Sequence, residues 1–527
     1  MNDTPVFSHA AAAAPHSLAA QAGRDILVQG GNAIEAMVAM AATIAVVYPH
    51  MNAIGGDGFW LIREPNGKVR AIEACGFAGE KATPEFYRLA EVDAIPPRGP
   101  QAALTVPGSV GGWALALELS AATGGRLPLG VLMENAIRHA LDGYPVSPSE
   151  TRFDPTKDKG LIAAPGFTDT YFIDGKPAKA GDLRKVTRLG ETLAQLAHAG
   201  LDDFYRGDVA REIAGDLERL GSPVTRADLK TYRAAWRQPL SLRIAGATLY
   251  NTQPPTQGLA SLILMGLFER LNVRNVESFA YFHGLIEASK RALSIRDHVV
   301  TDFDQLEYDC ADFLAAEALD RGAAEISMTR AASLPLKFDQ GDTVWMGAID
   351  AQGRAVSFIQ SIYWEFGSGC VLPRTGVLMQ NRGVSFSLDS SAVNPLQPGR
   401  RPLHTLNPPL CVFDDGRVMS YGAMGGDGQP QFQAQLLTRY RAGQNLAAAL
   451  DAPRYLFGRS WGAPSASVKL EDGFDDGIGH ALARAGHEID WAARGDAFGH
   501  AGALVRGAKG AIEAAHDPRS DGGAEGI

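Results

Sequence analysis

The sequence predicts an α+β fold in which helices cover antiparallel sheets. The first 60 residues read as two helices and a tight turn, and the span 110–323 is mostly helical in pattern. From Thr343 the pattern changes to short strands joined by tight turns, and helices return near residues 432–441 and 477–485. Runs of hairpins between runs of helices are typical of layered α+β proteins with antiparallel sheets.

Two helices are predicted at the start of the chain. The first covers residues 17–29, and Gly30-Gly31 ends it. Asn32 can cap the alanine-rich helix that follows, Ala33–Val47, because its side chain accepts from free N–H groups of the first turn. This helix is the longest apolar stretch, but it has 15 residues and carries Glu35. It is therefore short of the ~20 residues needed to cross a bilayer.

Three hairpins and one long helix complete the prediction. Strands at 59–63 and 69–73 flank the turn Pro65-Asn66-Gly67. Apolar residues at helical spacing predict the helix Phe279–Val299. The later hairpins join strand 343–349 to strand 355–362, and strand 410–413 to strand 418–421.

Composition excludes several classes of function. The net charge of −10 and the absence of a basic run argue against nucleic acid, which needs clustered cations. The four cysteines are far apart and the twelve histidines are scattered, with no H-E-x-x-H, so we expect no disulfide scaffold and no metal. Met1 to Ser17 lacks the cationic start of a signal peptide. We therefore expect a soluble cytoplasmic protein without a membrane partner.

The glycine runs do not predict a cofactor. Gly55-Gly56-Asp57-Gly58 precedes a strand, whereas a dinucleotide-binding loop follows a strand and opens a helix. A G-x-S-x-G motif spans residues 458–462, but chance alone gives ~0.3 such matches in a chain of this length. A strand-like segment, 467–470, follows it where a nucleophile elbow needs a helix. Thr343 is another candidate nucleophile, although a β-branched residue that opens a strand is usually structural.

Ordered motifs along the whole chain resemble the γ-glutamyltransferase family of N-terminal-nucleophile hydrolases. The resemblance rests on residues 29–33, Pro49-His50, Ile54-Gly55-Gly56, Val106-Pro107-Gly108 with Gly111, 143–147, Pro254-Pro255-Thr256, 287–292, Gly341-Asp342-Thr343, Asp350 with Gly353 and Val356, 366–369, Arg401-Pro402-Leu403, Gly425-Gly426 and Asp517-Pro518-Arg519.

The resemblance implies a four-layer αββα sandwich and a proenzyme that cuts itself between Asp342 and Thr343. Residues 1–342 would form the large subunit and residues 343–527 the small subunit of one folded unit. Thr343 would be the nucleophile, and its freed α-amine the base. Ser361 would support the nucleophile. The resemblance also admits a dimer of processed heterodimers.

The same resemblance gives the oxyanion donors and the substrate pocket. The N–H groups of Gly425 and Gly426 occupy the family's oxyanion position. The family's pocket residues correspond here to Tyr363, Arg382, and His404-Thr405.

The pocket departs from the family pattern. The segment Cys75 to Glu80 has no Arg for an α-carboxylate, and we identify no acid for an α-ammonium. Arg382 can bind a carboxylate with two parallel hydrogen bonds, while the large Tyr363 and Trp364 narrow the pocket. We therefore expect a cationic pocket, without a carboxylate, for a small anionic amide that lacks an α-amine.

Within the family, this pattern most resembles the members that hydrolyse oxamate to oxalate and ammonia, late in allantoin and urate breakdown. Two alternatives stay open. One is a glutathione hydrolase, γ-glutamyl acyltransferase or other acylase with a rebuilt pocket. The other is an unprocessed relative that only binds a ligand.

Overall fold

Two seven-stranded sheets form the centre of the molecule. The computed structural model describes residues 3–333, 341–458, 467–496 and 498–527, and of Asp342 it describes the backbone. Sheet 1 has the strand order Gly523–Gly526, Ala11–Ala14, Asp342–Ile349, Ala355–Tyr363, Asp57–Arg63, Val69–Ala74, Ala235–Arg237. Sheet 2 has the order Val6–Phe7, Ile512–His516, Ala501–Arg506, Val418–Ala423, Leu410–Phe413, Ala247–Asn251, Leu240–Ile244. Neighbouring strands within both sheets are antiparallel.

The sheets pack face to face, and helices cover both outer faces. Trp345, Leu61 and Ile349 of sheet 1 share an apolar cluster with Leu410 and Leu504 of sheet 2. The helices on the side of sheet 1 are Ser17–Val28, Ala33–Val47, Ser109–Ala122, Leu129–Asp142 and Thr187–Ala199. Those on the side of sheet 2 are Gly258–Arg270, Phe279–Val299 and Gln429–Arg441. The predicted four-layer αββα sandwich is confirmed.

Smaller elements surround these layers. The remaining helices are Pro84–Leu89, Lys159–Ala163, Phe167–Tyr171, Asp203–Arg206, Asp208–Leu220, Arg226–Thr231, Cys310–Leu314, Ala316–Ala324, Leu446–Asp451 and Asp476–Arg484. Small sheets pair Tyr144–Pro145 with Leu183–Arg184, Phe172–Ile173 with Lys176–Pro177, and Val468–Glu471 with both Tyr455–Phe457 and Ile489–Ala492. Within the described residues, no helix combines the length and the apolar character that crossing a membrane requires.

Several elements predicted from local sequence signals agree with the structure. Asn32 caps the helix Ala33–Val47, accepting from the N–H groups of Ile34 and Glu35, and Glu35 closes a capping box by accepting from the Asn32 N–H at 2.8 Å. The helix Phe279–Val299 has the predicted bounds. The three predicted hairpins are also present.

Several strands were not predicted from local patterns. Ala11–Ala14 is a strand of sheet 1 between Gly523–Gly526 and Asp342–Ile349, although alanine is depleted in strands. Small side chains suit this position because all four alanines are buried. Leu240–Ile244 and Ala247–Asn251 lie in the span that reads as mostly helical, and they form one edge of sheet 2. Long-range pairing decides Ala11–Ala14, whereas Leu240–Ile244 and Ala247–Asn251 are a local hairpin whose alternating pattern was missed in the sequence.

We predict that the Glu35 carboxylate stabilises the start of the fold. It is buried and accepts three backbone hydrogen bonds, from Asn32 at 2.8 Å, Arg126 at 2.7 Å and Leu127 at 2.8 Å. Glu35→Ala removes a buried acceptor from three backbone donors and should lower the free energy of unfolding by about 3 kcal/mol. Urea denaturation measures the change.

Glu85→Ala is the control, because Glu85 is exposed and pairs only with Arg88 on the surface. It should change the free energy of unfolding by less than about 0.5 kcal/mol. Equal shifts in the two variants would contradict the role given to Glu35.

Candidate active site

Thr343 lies on a central strand of sheet 1 and is buried at 1% exposure. The strand begins one residue earlier, where Asp342 pairs with Tyr363, and the register shifts before Val344 pairs with Gln360. The Thr343 hydroxyl accepts a hydrogen bond from Gln429 Nε2 at 3.4 Å. Because Gln429 begins a helix on the side of sheet 2, this contact places the Thr343 hydroxyl towards the space between the sheets.

Gly425 and Gly426 form the turn between the strand Val418–Ala423 and the helix Gln429–Arg441. Their φ angles are +113° and +51°, in the region that favours glycine. Within the described part of the chain, neither N–H donates a hydrogen bond. A Cβ added to Gly341 would lie 3.3 Å from both Gly426 Cα and Thr405 Oγ1. The predicted oxyanion glycines therefore lie against the predicted cleavage segment.

A buried network holds this glycine turn. Gln257 Nε2 donates to the carbonyl oxygens of Gly426 at 2.8 Å and Thr405 at 2.5 Å. Gln257 Oε1 accepts from Arg296 at 3.0 Å, and Arg296 also pairs with Asp427. Burial alone lowers the pKa of Arg296, but the Asp427 and Asp297 carboxylates raise it above its ordinary value. Arg296 therefore stays charged and fixes the loop that carries Gly426.

A second network determines which end of the Gln429 amide faces Thr343. Asn407 Nδ2 donates to Gln429 Oε1 at 3.2 Å. Asn407 Oδ1 in turn accepts from Ser261 Oγ at 2.8 Å and from Asn251 Nδ2 at 3.2 Å. Since the Gln429 oxygen is already an acceptor, its NH₂ group is left to donate to Thr343.

Ser361 and Tyr363 lie on the strand next to Thr343. Ser361 Oγ accepts the N–H of Tyr363 at 2.8 Å. Tyr363 has a φ of +85°, an unfavourable conformation for a bulky residue that costs roughly 1–3 kcal/mol. The Arg382 guanidinium lies over the Tyr363 ring, with Cζ 3.8 Å from the centroid, and both side chains are buried. The strained backbone thus presents an aromatic face to a buried cation.

His404 and Thr405 are buried beside this group. His404 Nε2 lies 3.5 Å from Asp57 Oδ2. Burial, together with the positive charges of Arg382 and Arg401, holds the pKa of His404 well below its usual value, so the ring is neutral. Thr405 packs near Gly341, as described above.

The structure adds one group beside the predicted pocket residues. Asp57 is fully buried, is paired with Ser361 in the sheet ladder, and approaches His404. A carboxyl group therefore adjoins the predicted pocket residues, and the expectation of a pocket without a carboxylate stays a prediction. Sequence reasoning treated Gly55-Gly56-Asp57-Gly58 only as a failed cofactor loop, and strand pairing brings Asp57 to the site. Gln429 was also missed, although it follows Gly425-Gly426 by only three residues.

Two further groups remain. Ser460 of the G-x-S-x-G motif falls in 459–466, outside the described residues. His283 and Glu287, in the first half of the helix Phe279–Val299, cluster with His487, and His283 Nδ1 and His487 Nε2 are 2.8 Å apart. Glu287 Oε1 accepts from Lys290 Nζ at 2.8 Å. These groups already have protein partners, and the expected absence of a metal stays a prediction.

Comparisons with known proteins agree along the whole chain. A family model described as Gamma-glutamyltranspeptidase matches residues 19–527. The oxamate amidohydrolase proenzyme of Klebsiella pneumoniae subsp. pneumoniae is 48% identical over 529 residues, covering 100% of both chains. The glutathione hydrolase-like YwrD proenzyme of Bacillus subtilis is 36% identical over 534 residues, again covering 100% of both. Cephalosporin acylase from Bacillus halodurans has a similar structure, with a TM-score of 0.91, 32% identity, and coverage of 100% of this chain and 97% of that one.

The sandwich and its buried strand-borne threonine define the class as an N-terminal-nucleophile hydrolase fold. The chain belongs to the gamma-glutamyltranspeptidase family. It is an enzyme, a hydrolase acting on amide C–N bonds. The alternative of a relative that only binds a ligand is therefore set aside.

We predict that the Gln429 amide supports Thr343. Gln429→Met removes the donor to the Thr343 hydroxyl and should lower kcat roughly tenfold, since a hydrogen bond of this kind contributes about 1–1.5 kcal/mol. Steady-state kinetics of amide hydrolysis measure the effect. Gln435→Met is the matched control, because Gln435 is equally buried on the same helix but donates to the carbonyls of Gln431 and Tyr455. Equal losses of kcat in both variants would show that Gln429 contributes through packing and not through its hydrogen bond to Thr343.

Proposed function

We propose that this chain is a proenzyme that cuts itself between Asp342 and Thr343 and then hydrolyses a small anionic amide, oxamate, to oxalate and ammonia. One observation carries the proposal. Gly426, Thr405 and Tyr363 lie around Gly341, just before the Thr343 strand. Arg382 is buried against the ring of Tyr363. The 48% identity to an oxamate amidohydrolase proenzyme supports the choice of substrate.

Self-cleavage needs only the residues at the junction and water. The Thr343 hydroxyl attacks the carbonyl carbon of Asp342, and the peptide C–N bond breaks as the Thr343 nitrogen takes the hydroxyl proton. Water then hydrolyses the resulting ester. The products are a large subunit ending at Asp342 and a small subunit beginning at Thr343, and two such processed copies would form the dimer that the family resemblance admits.

The freed α-amine of Thr343 then serves as the base in amide hydrolysis. Its ordinary pKa of about 7.7–8.0 lets it take the Thr343 hydroxyl proton near neutral pH. The oxygen attacks the substrate amide carbon, and the developing oxyanion accepts from the N–H groups of Gly425 and Gly426. Collapse expels ammonia with the amine's proton, leaving an oxalyl ester on Thr343. Water, deprotonated by the same amine, releases oxalate.

Arg382 is the proposed anchor for the carboxylate of the substrate. Its guanidinium is buried at 1% exposure, so a charge pair formed there is shielded from water. The ring of Tyr363 covers one face of the guanidinium, and a guanidinium binds a carboxylate through its in-plane edge. His404 and Thr405 complete the wall. All four side chains are buried, which suits a ligand of few atoms.

Hydrolysis of a γ-glutamyl amide is the second candidate. The specific observation in its favour is Asp57, whose carboxyl group could accept an α-ammonium beside His404. The 36% identity to a glutathione hydrolase-like protein points the same way. The substrate comparison below separates the two.

We predict that Thr343→Ala abolishes the cut. Without the hydroxyl no acyl shift occurs, so the variant should remain one band of 56.0 kDa on a denaturing gel while the wild type gives two. Thr343→Ser is the control, because it keeps the hydroxyl and should still be cut. A cut Thr343→Ala chain, or an uncut wild type, would contradict self-cleavage at this bond.

We predict that Arg382→Ala weakens turnover of anionic amides. Loss of a desolvated charge pair should lower kcat/KM for oxamate by about 2–3 kcal/mol, roughly 30- to 150-fold. Ammonia release from oxamate, and amine release from glutathione and γ-glutamyl-anilide, measure the preference. Arg374→Ala is the control, since Arg374 is 54% exposed and pairs with Glu212 on the surface. Preferential turnover of γ-glutamyl-anilide by the wild type would overturn the oxamate proposal.

A further inference from the structure

Asp57 is held at the site by the backbone of three separate segments. It begins the strand Asp57–Arg63 and pairs with Ser361, two residues before Tyr363 on the next strand. Its Oδ1 accepts from the N–H groups of Gly76 at 3.1 Å and Gly108 at 2.9 Å. These contacts fix the carboxyl group and leave Oδ2 directed towards His404, 3.5 Å away.

The Gln380 side chain lies within hydrogen-bonding range of the Asp57 carboxyl, yet several buried polar atoms around it make no well-aligned hydrogen bond within the described residues. They are Asp57 Oδ2 itself, Gln380 Oε1, Thr405 Oγ1 and both ring nitrogens of His404. All four side chains have exposures of 0–1%. A buried polar atom left unpaired costs about 1–3 kcal/mol, and native proteins contain few of them. Asp57 and His404 both lie within reach of the Arg382 charge, so this group suits a polar ligand that supplies the missing partners.

The groups that face Asp57 carry little charge apart from Arg382. His404 is neutral for the reasons given above. Burial raises the pKa values of the Cys75 thiol and of the Tyr205 and Tyr232 phenols, so these groups are uncharged as well. Arg382 is therefore the cation that acts on Asp57 at close range.

We propose that Asp57, with Gln380 and His404, forms the second wall of the substrate pocket, and that Asp57 binds one proton as the anionic amide binds beside Arg382. The inference rests on the proposed function and adds a residue that determines its substrate class. Protonated Oδ2 donates to an oxygen of the anion, while Gly76 and Gly108 continue to hold Oδ1. The pocket then contains neutral Asp57 and the positive charge of Arg382, which balances the single negative charge of the substrate.

The direction in which KM changes with pH follows from the titration of the Asp57 carboxyl. Burial raises its pKa to about 7, against the opposing effects of Gln380, the Gly76 and Gly108 N–H groups and Arg382. A bound anion raises this pKa further, because like charges disfavour the ionised form. Below pH 7 the proton is already present. Above pH 7 the carboxylate must first take it up, so the KM for an anionic amide should rise about tenfold per pH unit.

The test measures kcat and KM for oxamate between pH 6 and 9, in the wild type and in Asp57→Asn. In the wild type we expect KM to be flat below pH 7 and to rise above it. In Asp57→Asn, whose amide donates at every pH, we expect a flat KM. Titration of the Thr343 amine changes kcat. A change of KM with pH that is lost in Asp57→Asn therefore identifies Asp57.

The outcomes distinguish this inference from the proposed function. Oxamate turnover with a pH-independent wild-type KM, or with the same rise in Asp57→Asn, would overturn the role of Asp57 and leave the function standing. If γ-glutamyl-anilide is the substrate and its KM falls as pH rises, Asp57 binds an ammonium as a carboxylate, and both proposals fail. The wild-type profile decides the matter even if Asp57→Asn does not fold.

Discussion

Buried apolar side chains of the two sheets pack against each other, and the site depends on this constraint. A polar atom placed there needs a protein partner or a ligand. Ser361 Oγ accepts from Tyr363, and the amide of Gln429 is shared between Asn407 and Thr343. Asp57 Oδ2, Thr405 Oγ1 and the ring nitrogens of His404 are among the buried polar atoms that have no such partner within the described residues. The proposed pocket is thus one place where buried polar groups of the fold await a partner.

The same constraint explains how the site is held rigid. The glycine turn is fixed through the carbonyl oxygen of Gly426, which accepts from Gln257, and Arg296 in turn donates to Gln257 and pairs with Asp427. Among the residues that the structure describes, no acceptor takes the N–H groups of the turn. Tyr363 keeps a left-handed backbone because its N–H donates a hydrogen bond to the Ser361 hydroxyl. Rigid donors aimed in advance at a developing charge are what amide hydrolysis needs.

The sequence predicts the elements whose signals are local. The cap at Asn32, the helix Phe279–Val299 and the hairpins need only neighbouring residues, and they agree with the structure. The alanine strand Ala11–Ala14 and the residue Asp57 do not, because long-range pairing decides both. The pocket residues carried over from the family meet in space, whereas Asp57 and Gln429 are recognised only from contacts with His404 and Thr343. Their roles in the reaction stay predictions.

The central claim is that Thr343 carries the acyl group. The most direct test quenches the enzyme with acid during turnover of oxamate and determines the intact mass and the modified peptide of the small fragment. We expect a fragment that begins at Thr343 and bears an oxalyl adduct on that residue. A fragment that begins elsewhere, or an adduct on another residue, would contradict it.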